Sequence, residues 1–330
     1  MGSNPQYSAI AAQTHPVPHA LAACLAQLSA AAREAERQFP MRLPSALAQR
    51  IPWRDDDPLT RQFLPSGEEL LGAPGDSLDP LNERQAMILP GLIGKYAGRV
   101  LLKVTEQCAV HCRFCFRRHS RDVAMPQKPR LWRPIMDWIA QDSTLHEVIL
   151  SGGDPLTWSD RRLGRLIQAL AALAHVTRLR VHTRMPVVTP ERITPALLAT
   201  LRGSRLTPWV VVHVNHRQEL DQQAVKALGR LVDGGVPVLS QSVLLRGVND
   251  DLATLVSLFG FLIDLRIIPY YLHMLDPVIG TAHFRVAEQA AQELMMGLQV
   301  RLPGYAVPRL VREDPEFPYK RWLVQQNGIG

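Results

Sequence analysis

The sequence predicts an α/β protein, a partial (β/α)6 TIM-like parallel barrel with an N-terminal helical extension. Two observations lead to this prediction. Between residues 99 and 274, six β-rich apolar runs alternate with amphipathic helical stretches, and after the first run their starts lie about 30 residues apart, the length of a βα unit. Polar or small residues follow the carboxyl end of each run, and in a parallel barrel these ends converge on one face, where barrel enzymes keep their active sites.

The alternation alone fits both a barrel and a doubly wound sheet. The runs, in chain order, are RVLLKVT (99–105), EVILSG (147–152), RLRVHT (178–183), WVVVHV (209–214), VPVLSQSVLL (236–245) and RIIPYYLHM (266–274). The polar residues that follow these runs favour the barrel, with one open mouth.

The segment before the first run has a different composition. It is rich in Pro and turn signals, with helical patches at 19–38 and 43–50, which is typical of a segment that wraps a core built elsewhere. Residues 1–32 carry no charged side chain but also lack the basic start of an export signal, so we expect a mobile tail and then a short helix. The predicted division is an extension (1–95), the barrel (96–300) and a C-terminal segment (301–330).

Composition sets broad limits on function. The 330 residues are 46% hydrophobic and 20% charged, as in ordinary folded proteins. The formal charge of +7 suits an anionic substrate, an acidic partner or nucleic acid, but selects none of them. No run approaches the ~20 apolar residues of a membrane helix, so we expect a soluble protein without a membrane partner. Clustered thiols indicate a reducing compartment, and we expect the cytoplasm.

Three of the four cysteines lie in TEQCAVHCRFCFRRHS, at Cys108, Cys112 and Cys115, on the loop that leaves the first run. Three thiolates can turn toward one metal centre and leave a fourth position open. If the centre is zinc, His111 or His119 could complete a Cys3His site in a nucleic-acid-binding module. If it is a four-iron cluster, the open iron can bind a substrate or cofactor.

The second run ends in SGGDPL, residues 151–156. Gly152 and Gly153 would let the backbone approach a ligand closely, and the carboxylate of Asp154 follows; taken alone, the string also fits a plain strand-to-helix turn. Together with C-x3-C-x2-C and Phe114 before the last cysteine, this pattern resembles the radical S-adenosylmethionine enzymes.

That resemblance implies a set of cofactors. Cys108, Cys112 and Cys115 would hold a [4Fe-4S] cluster whose unique iron binds S-adenosylmethionine. One electron from a reducing donor would then generate a 5'-deoxyadenosyl radical. The residues implied to contact S-adenosylmethionine at the second strand end are Ser151, Gly152, Gly153 and Asp154.

Further strings narrow the resemblance to the lysine 2,3-aminomutase family, over residues from about 56 to about 320. They are CAVHCRFCFRRH, SGGDPL, TRMPVVTPERIT, HVNH, QSVLLRGVND, PYYLHMLDPVIGTAHFR and GYAVPRLVREDPEFPYK. The chain most resembles the short branch of this family, which makes the (R)-β-lysine used to modify translation elongation factor P. This implies an isomerase acting on free L-lysine, with a functional link to elongation factor P and its lysyl ligase, and no role for nucleic acid.

The resemblance also implies roles for individual residues. Moving an amino group from C2 to C3 of lysine uses pyridoxal 5'-phosphate, whose π-system spreads the unpaired electron. The implied residues are Lys320 for covalent attachment of pyridoxal phosphate, Arg99 and Gln241 for its phosphate, His213 beside S-adenosylmethionine, Arg117 for the substrate carboxylate, and Asp276 and Glu313 for the substrate ammonium. A related aminomutase of glutamate or arginine stays an alternative, although two carboxylates favour a basic side chain.

Overall fold

The computed structural model describes residues 19–119 and 124–323, and ten strands in this part of the chain form one sheet in chain order. The strands are β1 (Met87–Leu89), β2 (Leu92–Tyr96), β3 (Arg99–Thr105), β4 (Glu147–Gly152), β5 (Arg178–Thr183), β6 (Thr207–His213), β7 (Val238–Val243), β8 (Ile268–His273), β9 (Arg309–Arg312) and β10 (Arg321–Trp322). Neighbouring strands from β3 to β9 are parallel, and β1, β2 and β10 are antiparallel to their neighbours.

The strand order confirms the barrel-type architecture. In a doubly wound sheet the order reverses at a switch point, whereas here each parallel strand lies beside the next one in the chain. The strands next to the two edges of the sheet also approach each other, because Nζ of Lys95 in β2 lies 2.7 Å from Oε1 of Glu313, the residue after β9. The sheet therefore curls into an open barrel that side chains bridge.

The six predicted runs correspond to β3–β8, and four further strands were not predicted from the sequence. One of them, β9, is a seventh parallel strand, and β1, β2 and β10 extend the sheet at its edges. β1 and all of β2 except Tyr96 lie within the predicted N-terminal extension, which therefore contributes to the sheet as well as covering it.

Helices lie in the N-terminal segment and in the connections between the parallel strands. They are α1 (His19–Gln27), α2 (Ala30–Gln38), α3 (Ser45–Ala48), α4 (Pro58–Phe63), α5 (Arg133–Gln141), α6 (Asp160–Ala171), α7 (Met185–Val188), α8 (Pro195–Arg202), α9 (Gln222–Asp233), α10 (Leu252–Asp264) and α11 (Glu288–Arg301). The patches predicted at 19–38 and 43–50 are confirmed as α1–α3. The tail predicted at 1–18 lies outside the described residues. No helix in the described ranges has the length and apolar character of a membrane span.

Local sequence explains why the longer helices form where they do. In α6, Leu163, Leu166, Ile167 and Leu170 recur at helical spacing and are fully buried. The side chain of Asp221 accepts a hydrogen bond from the backbone N–H of Ala224 and so caps α9. Such helices cover the outer, apolar face of the sheet.

The inner face of the sheet is polar, and the strand register brings four predicted site residues onto it. Paired residues of neighbouring strands share a face, as do alternate residues of one strand. Arg99 pairs with Glu147, which shares its face with Ser151. The same alternation runs through β5 and β6 to His213, which pairs with Gln241. The side chains predicted to bind cofactors therefore come from four strands but face one interior.

Candidate active site

The three clustered cysteines lie on the segment 106–119, called here the cysteine loop, which follows β3. Cys108, Cys112 and Cys115 are not in disulfide bonds and are partly buried. A tight turn joins two of them, because the backbone N–H of Cys115 donates to the carbonyl oxygen of Cys112 at 3.0 Å. Burial raises the pKa of the Cys112 thiol, and the nearby Arg184 guanidinium opposes this effect. The loop thus presents three potential thiolate ligands at the mouth of the barrel.

A buried carboxylate, that of Glu69, binds two arginines of the cysteine loop. Glu69 accepts hydrogen bonds from Arg113 at 2.8 and 2.6 Å and from Arg118 at 2.6 Å, and its side chain is 1% exposed. Arg113 also donates to the carbonyl oxygen of Phe39, in the N-terminal segment, at 2.6 Å. These two arginines are therefore structural ion-pair residues that attach the loop to the N-terminal segment.

Arg117, the predicted ligand of the substrate carboxylate, is fixed in a similar way. Its Nε and Nη2 donate to the two carboxylate oxygens of Glu83 at 2.8 and 2.5 Å. Its Nη1 donates to Oγ of Ser151 at 3.0 Å. The structure thus brings two predicted site residues, Arg117 and Ser151, into contact, and Glu83 is a partner that the sequence analysis missed.

The two glycines of SGGDPL allow a close approach to the cysteine loop. Gly152 has φ +119°, and a Cβ there would lie 2.3 Å from the carbonyl oxygen of Thr105. A Cβ on Gly153 would lie 2.1 Å from the carbonyl oxygen of Gln107. The backbone N–H of Gly153 donates to Thr105 at 2.7 Å. The two glycines therefore allow the backbone at the end of β4 to pack directly against the start of the cysteine loop.

Asp154 is buried and points toward the end of β5. Its carboxylate accepts hydrogen bonds from Oγ1 of Thr183 at 2.8 and 2.9 Å and from the backbone N–H of Arg184 at 2.7 Å. It also accepts from the N–H of Leu156 at 3.0 Å. In this arrangement Asp154 joins the ends of β4 and β5, and its contact with S-adenosylmethionine stays a prediction.

His213 combines a buried position with an unused hydrogen-bonding atom. Its ring stacks on Phe114 of the cysteine loop, with centroids 5.6 Å apart, and its Nε2 has no hydrogen-bond partner among the described residues. Burial, with a contribution from Arg184, lowers the pKa of His213 to about 3, so the ring is neutral. A buried nitrogen left without a partner beside the cysteines fits a bound ligand at this position.

The donor set suits an iron–sulfur cluster better than zinc. In the described ranges, no three His, Cys, Asp or Glu side chains are placed to bind a single metal ion. Both candidate fourth ligands face elsewhere: Nδ1 of His111 lies 2.6 Å from the carbonyl oxygen of Pro40, and Nε2 of His119 lies 2.9 Å from that of Ile279. Three thiolates without a neighbouring histidine fit a cluster, in which each thiolate binds a different iron.

A second group of opposite charges surrounds Glu313, the residue after β9. Nζ of Lys320, the predicted attachment residue, donates to Oε2 of Glu313, and Nζ of Lys95 donates to Oε1 at 2.7 Å. Burial acts to raise the pKa of Glu313, but the two lysines outweigh it and hold the pKa well below its usual value. The structure thus brings Lys320 and Glu313 together and adds Lys95, which the sequence analysis missed.

Asp276, the other predicted ammonium ligand, has a different environment. Burial and the charge of Glu313 raise the pKa of Asp276 to about 7, against the effect of Lys320 and Lys95. No hydrogen bond or ion pair joins its carboxylate to another described residue. An unpaired carboxylate beside Glu313 is suited to receive an added cation.

Arg99 and Gln241 face the same interior and have few partners. The Arg99 guanidinium lies over the Tyr96 ring, 4.6 Å from its centroid, and makes no ion pair with a described residue. Gln241 pairs in register with Tyr271, and its side-chain amide makes no hydrogen bond within the described ranges. A free guanidinium and a free amide on one interior face fit the phosphate of a cofactor.

Two interior histidines escaped the sequence analysis. His182 has a buried Nε2 without a partner among the described residues, and burial lowers its pKa well below the usual value. Burial likewise lowers the pKa of His273 to about 3, with Lys320 contributing. Each histidine is a polar residue in an otherwise apolar strand, and this feature of the sequence could have identified both as candidate site residues.

Comparison with known proteins first defines the class. The model of the radical SAM superfamily matches residues 102–259. The crystal structure of a radical SAM methyltransferase from Sphaerobacter thermophilus matches with a TM-score of 0.50 and 19% identity, over 67% of this chain and 68% of that chain. The open barrel with its cysteine loop is therefore a radical SAM fold.

Full-length relatives then identify the family. An L-lysine 2,3-aminomutase of Escherichia coli is 44% identical over 90% of this chain and 86% of its own length. One of Haemophilus influenzae is 42% identical over 87% of this chain and 85% of its own length. The chain belongs to the L-lysine 2,3-aminomutase family, whose members are isomerases. This membership contradicts the zinc-module alternative.

Proposed function

We propose that this protein converts free L-lysine to (R)-β-lysine. The observation that carries the proposal is the layout of charges around the interior, where Arg117 on the cysteine loop contacts Ser151 and Lys320 contacts Glu313, whose charge acts on Asp276. A substrate with a carboxylate at one end and an ammonium at the other matches this layout in charge. A glutamate substrate would bring a second carboxylate to Glu313 and Asp276, which disfavours it.

The cofactors proposed are a [4Fe-4S] cluster, S-adenosylmethionine and pyridoxal 5'-phosphate. Together they supply a radical able to remove an unactivated hydrogen and a π-system through which nitrogen can migrate. Cys108, Cys112 and Cys115 would hold the cluster, while Ser151, Gly152, Gly153, Asp154 and His213 would form the S-adenosylmethionine site. Lys320, Arg99 and Gln241 would hold pyridoxal phosphate.

The substrate would be held at both ends by preorganised side chains. Arg117 is oriented by Glu83, so its fork is already in place for a carboxylate. At the other end, the ammonium of Lys320 occupies one oxygen of Glu313. When Lys320 turns to the cofactor, that oxygen becomes available for the substrate ammonium, and Asp276 supplies a second carboxylate. The low exposure of these groups keeps water from competing for them.

We propose a three-part organisation, in which residues 1–95 wrap the barrel and add strands at one edge of its sheet, 96–300 supply β3–β8, and 301–330 supply β9 and β10 and carry Lys320. The electron would come from a cellular one-electron reductant in the cytoplasm. The β-lysine product would serve the lysyl ligase that modifies elongation factor P, as the resemblance to the short branch implies. These assignments rest on that resemblance.

The test is an anaerobic assay of the purified protein. Iron and sulfide content are measured first, and the reduced protein is then incubated with S-adenosylmethionine, pyridoxal phosphate and L-lysine. We expect stereochemical analysis to identify (R)-β-lysine. Parallel incubations with L-glutamate and L-arginine address the alternative substrates, and turnover of either one without β-lysine formation would refute the proposal.

The role of Lys320 needs its own experiment. Borohydride reduction in the presence of pyridoxal phosphate, followed by peptide mapping, should place the label on Lys320. Lys320→Arg preserves a cation beside Glu313 but should lose both the label and the activity. Lys128→Arg, at an exposed position, is the matched control and should keep both. Label on a different lysine of the wild-type protein would refute the assignment.

A further inference from the structure

Arg184, the first residue after β5, makes a direct contact with the cysteine loop. Its Nη1 donates to Sγ of Cys112 at 2.7 Å, and its side chain is 7% exposed. A guanidinium stays protonated in proteins, so this donor keeps its positive charge. A permanent buried cation therefore lies against one of the three thiol sulfurs.

Several contacts fix the position of this guanidinium. Nη2 of Arg184 donates to Oε2 of Glu219 at 2.6 Å and to Oε1 of Gln62 at 2.8 Å. The guanidinium carbon Cζ lies over the rings of Phe63 and Phe114, 5.0 and 5.6 Å from their centroids. With both ends of its fork engaged, Arg184 can hold Cys112 in one orientation.

Glu219 is itself held rigidly. Its Oε1 accepts from the backbone N–H groups of Asn215 at 2.8 Å and His216 at 3.0 Å. The side-chain amide of Gln62 donates to the same oxygen at 3.2 Å. The carboxylate balances the charge of Arg184 through Nη2, whereas Nη1 faces the sulfur. The N–H directed at Cys112 is therefore a preorganised donor.

Hydrogen bonds to cluster sulfurs and nearby charges set the reduction potential of iron–sulfur centres. Reduction adds one electron to the cluster and breaks no bond, so it makes the cluster and its thiolates more negative. A fixed cation that donates to a ligand sulfur stabilises this reduced state more than the oxidised one. Removing it should make the cluster harder to reduce.

We propose that Arg184 is a positioning residue that orients Cys112 and raises the reduction potential of the cluster through the bond from Nη1 to Sγ. The inference rests on the proposed function in one respect, namely that the cysteine loop binds a [4Fe-4S] cluster. It is independent of the substrate. It names a residue outside the cysteine motif as part of the electron-accepting unit.

Arg192 provides a matched control within the same connection between β5 and α8. It is also largely buried, forms an ion pair with Asp160 at 2.6 Å and donates to the carbonyl oxygens of Leu156 and Trp158. None of these partners is a cysteine. Arg192→Gln therefore reproduces the loss of a buried, paired arginine without changing a contact to sulfur.

The experiment measures the midpoint potential of the reconstituted full-length protein by redox titration followed with electron paramagnetic resonance. For Arg184→Gln we expect the equilibrium constant for one-electron reduction to fall about tenfold, which corresponds to about 60 mV toward more negative potential. Arg184→Lys keeps the positive charge but not the forked guanidinium, and its midpoint potential should lie between those of Arg184→Gln and the wild type. Arg192→Gln should match the wild type.

Each outcome decides the proposal. Equal potentials in the wild type, Arg184→Gln and Arg184→Lys, with intact clusters, would overturn it. Loss of the cluster in Arg184→Gln but not in Arg184→Lys or Arg192→Gln would support the positioning role, whereas equal loss in Arg192→Gln would refute a specific one. A wild type that holds the cluster yet makes no β-lysine would reject the proposed substrate and leave the Arg184 comparison valid.

Discussion

Charged side chains are paired differently in two regions of the barrel mouth. On the cluster side, defined as the cysteine loop with Arg184 and the ends of β4 and β5, Arg113 and Arg117 each make two hydrogen bonds to a glutamate, Glu69 and Glu83 respectively. Arg184 makes one hydrogen bond to Glu219. On the lysine side, defined as Lys95, Asp276, Glu313 and Lys320, two lysines share one carboxylate, and a second carboxylate has no partner among the described residues. The first arrangement is closed, and the second is open to exchange.

This difference corresponds to two tasks. A cluster needs ligands that keep one geometry through a redox change, and planar arginine forks in a buried setting provide this rigidity. A substrate ammonium must enter and leave, and a lysine point charge on a flexible stem is more readily displaced. The comparison predicts that substitutions on the cluster side, other than at Arg117, will affect cofactor retention and folding, whereas those on the lysine side will affect substrate binding.

The largest effect is expected for the cysteines. Cys115→Ala should lose the cluster, and with it β-lysine formation, because two thiolates and an open site do not hold a four-iron cluster. Iron and sulfide analysis and the visible spectrum measure the loss. Cys24→Ala is the control, since Cys24 donates to the carbonyl oxygen of Trp53 and lies away from the loop. Equal iron content in Cys115→Ala and Cys24→Ala would contradict the assignment of Cys115 as a cluster ligand.

A smaller loss is expected when one buried fork loses its partner. Glu83→Gln removes the charge opposite Arg117, in a pair whose side chains are only 11% and 6% exposed. We expect the free energy of unfolding in urea to fall by about 3 kcal/mol, because an unpaired charge stays buried. Asp233→Asn breaks the exposed pair with Arg266 and should cost less than about 1 kcal/mol. Similar losses in the two variants would show that the cluster side is not specially rigid.

On the lysine side, Glu313→Gln should affect the reaction. We expect kcat/KM for L-lysine to fall about 30-fold, or about 2 kcal/mol, because the substrate ammonium loses a charged partner. Asp314→Asn is the neighbouring control, since Asp314 pairs with Arg321 and not with the lysines of this site. The kinetics of both variants would be measured with iron content matched. A loss of iron in Glu313→Gln but not in Asp314→Asn would contradict the prediction that substitutions on the lysine side leave the cluster in place.

The smallest effect concerns the pH dependence at Asp276. Its pKa in the folded protein is raised to about 7, so between about pH 4 and 7 the folded state binds more protons than the unfolded state, and its stability falls as pH rises. Asp276→Asn removes this penalty. The variant should melt about 2–3 °C above the wild type at pH 8, with a smaller gain at pH 5. A gain that is equal at both pH values would contradict an elevated pKa.

Local patterns in the sequence predicted most of the parallel sheet. The six predicted runs match β3–β8 to within two residues at either end. The seventh parallel strand, β9, escaped because RLVR is too short for its alternation to stand out, and β1 and β2 surround Pro90 and Gly91, which read as a turn. Periodicity detects long elements and loses short ones at the edges.

The charged partners could not be predicted in this way. Arg117 and Glu83 are 34 residues apart in the chain, and Gln62 and Glu219 are 157 apart. Such pairs depend on which strand ends meet, and no local pattern records that. The cysteines were predicted because their spacing is itself local. The structure brings together Arg117 with Ser151 and Lys320 with Glu313, and their roles toward substrate and cofactors stay predictions.

The contacts of Arg184 also have a consequence for biosynthesis. The fork that holds Cys112 is complete only when Glu219 is present, which is 104 residues after Cys115. At a synthesis rate of about 5–20 residues per second, the three thiols leave the ribosome about 5–20 s before their final support exists. During that interval the thiols belong to an unfinished chain, so iron delivery to the fully supported loop comes late in translation or after it.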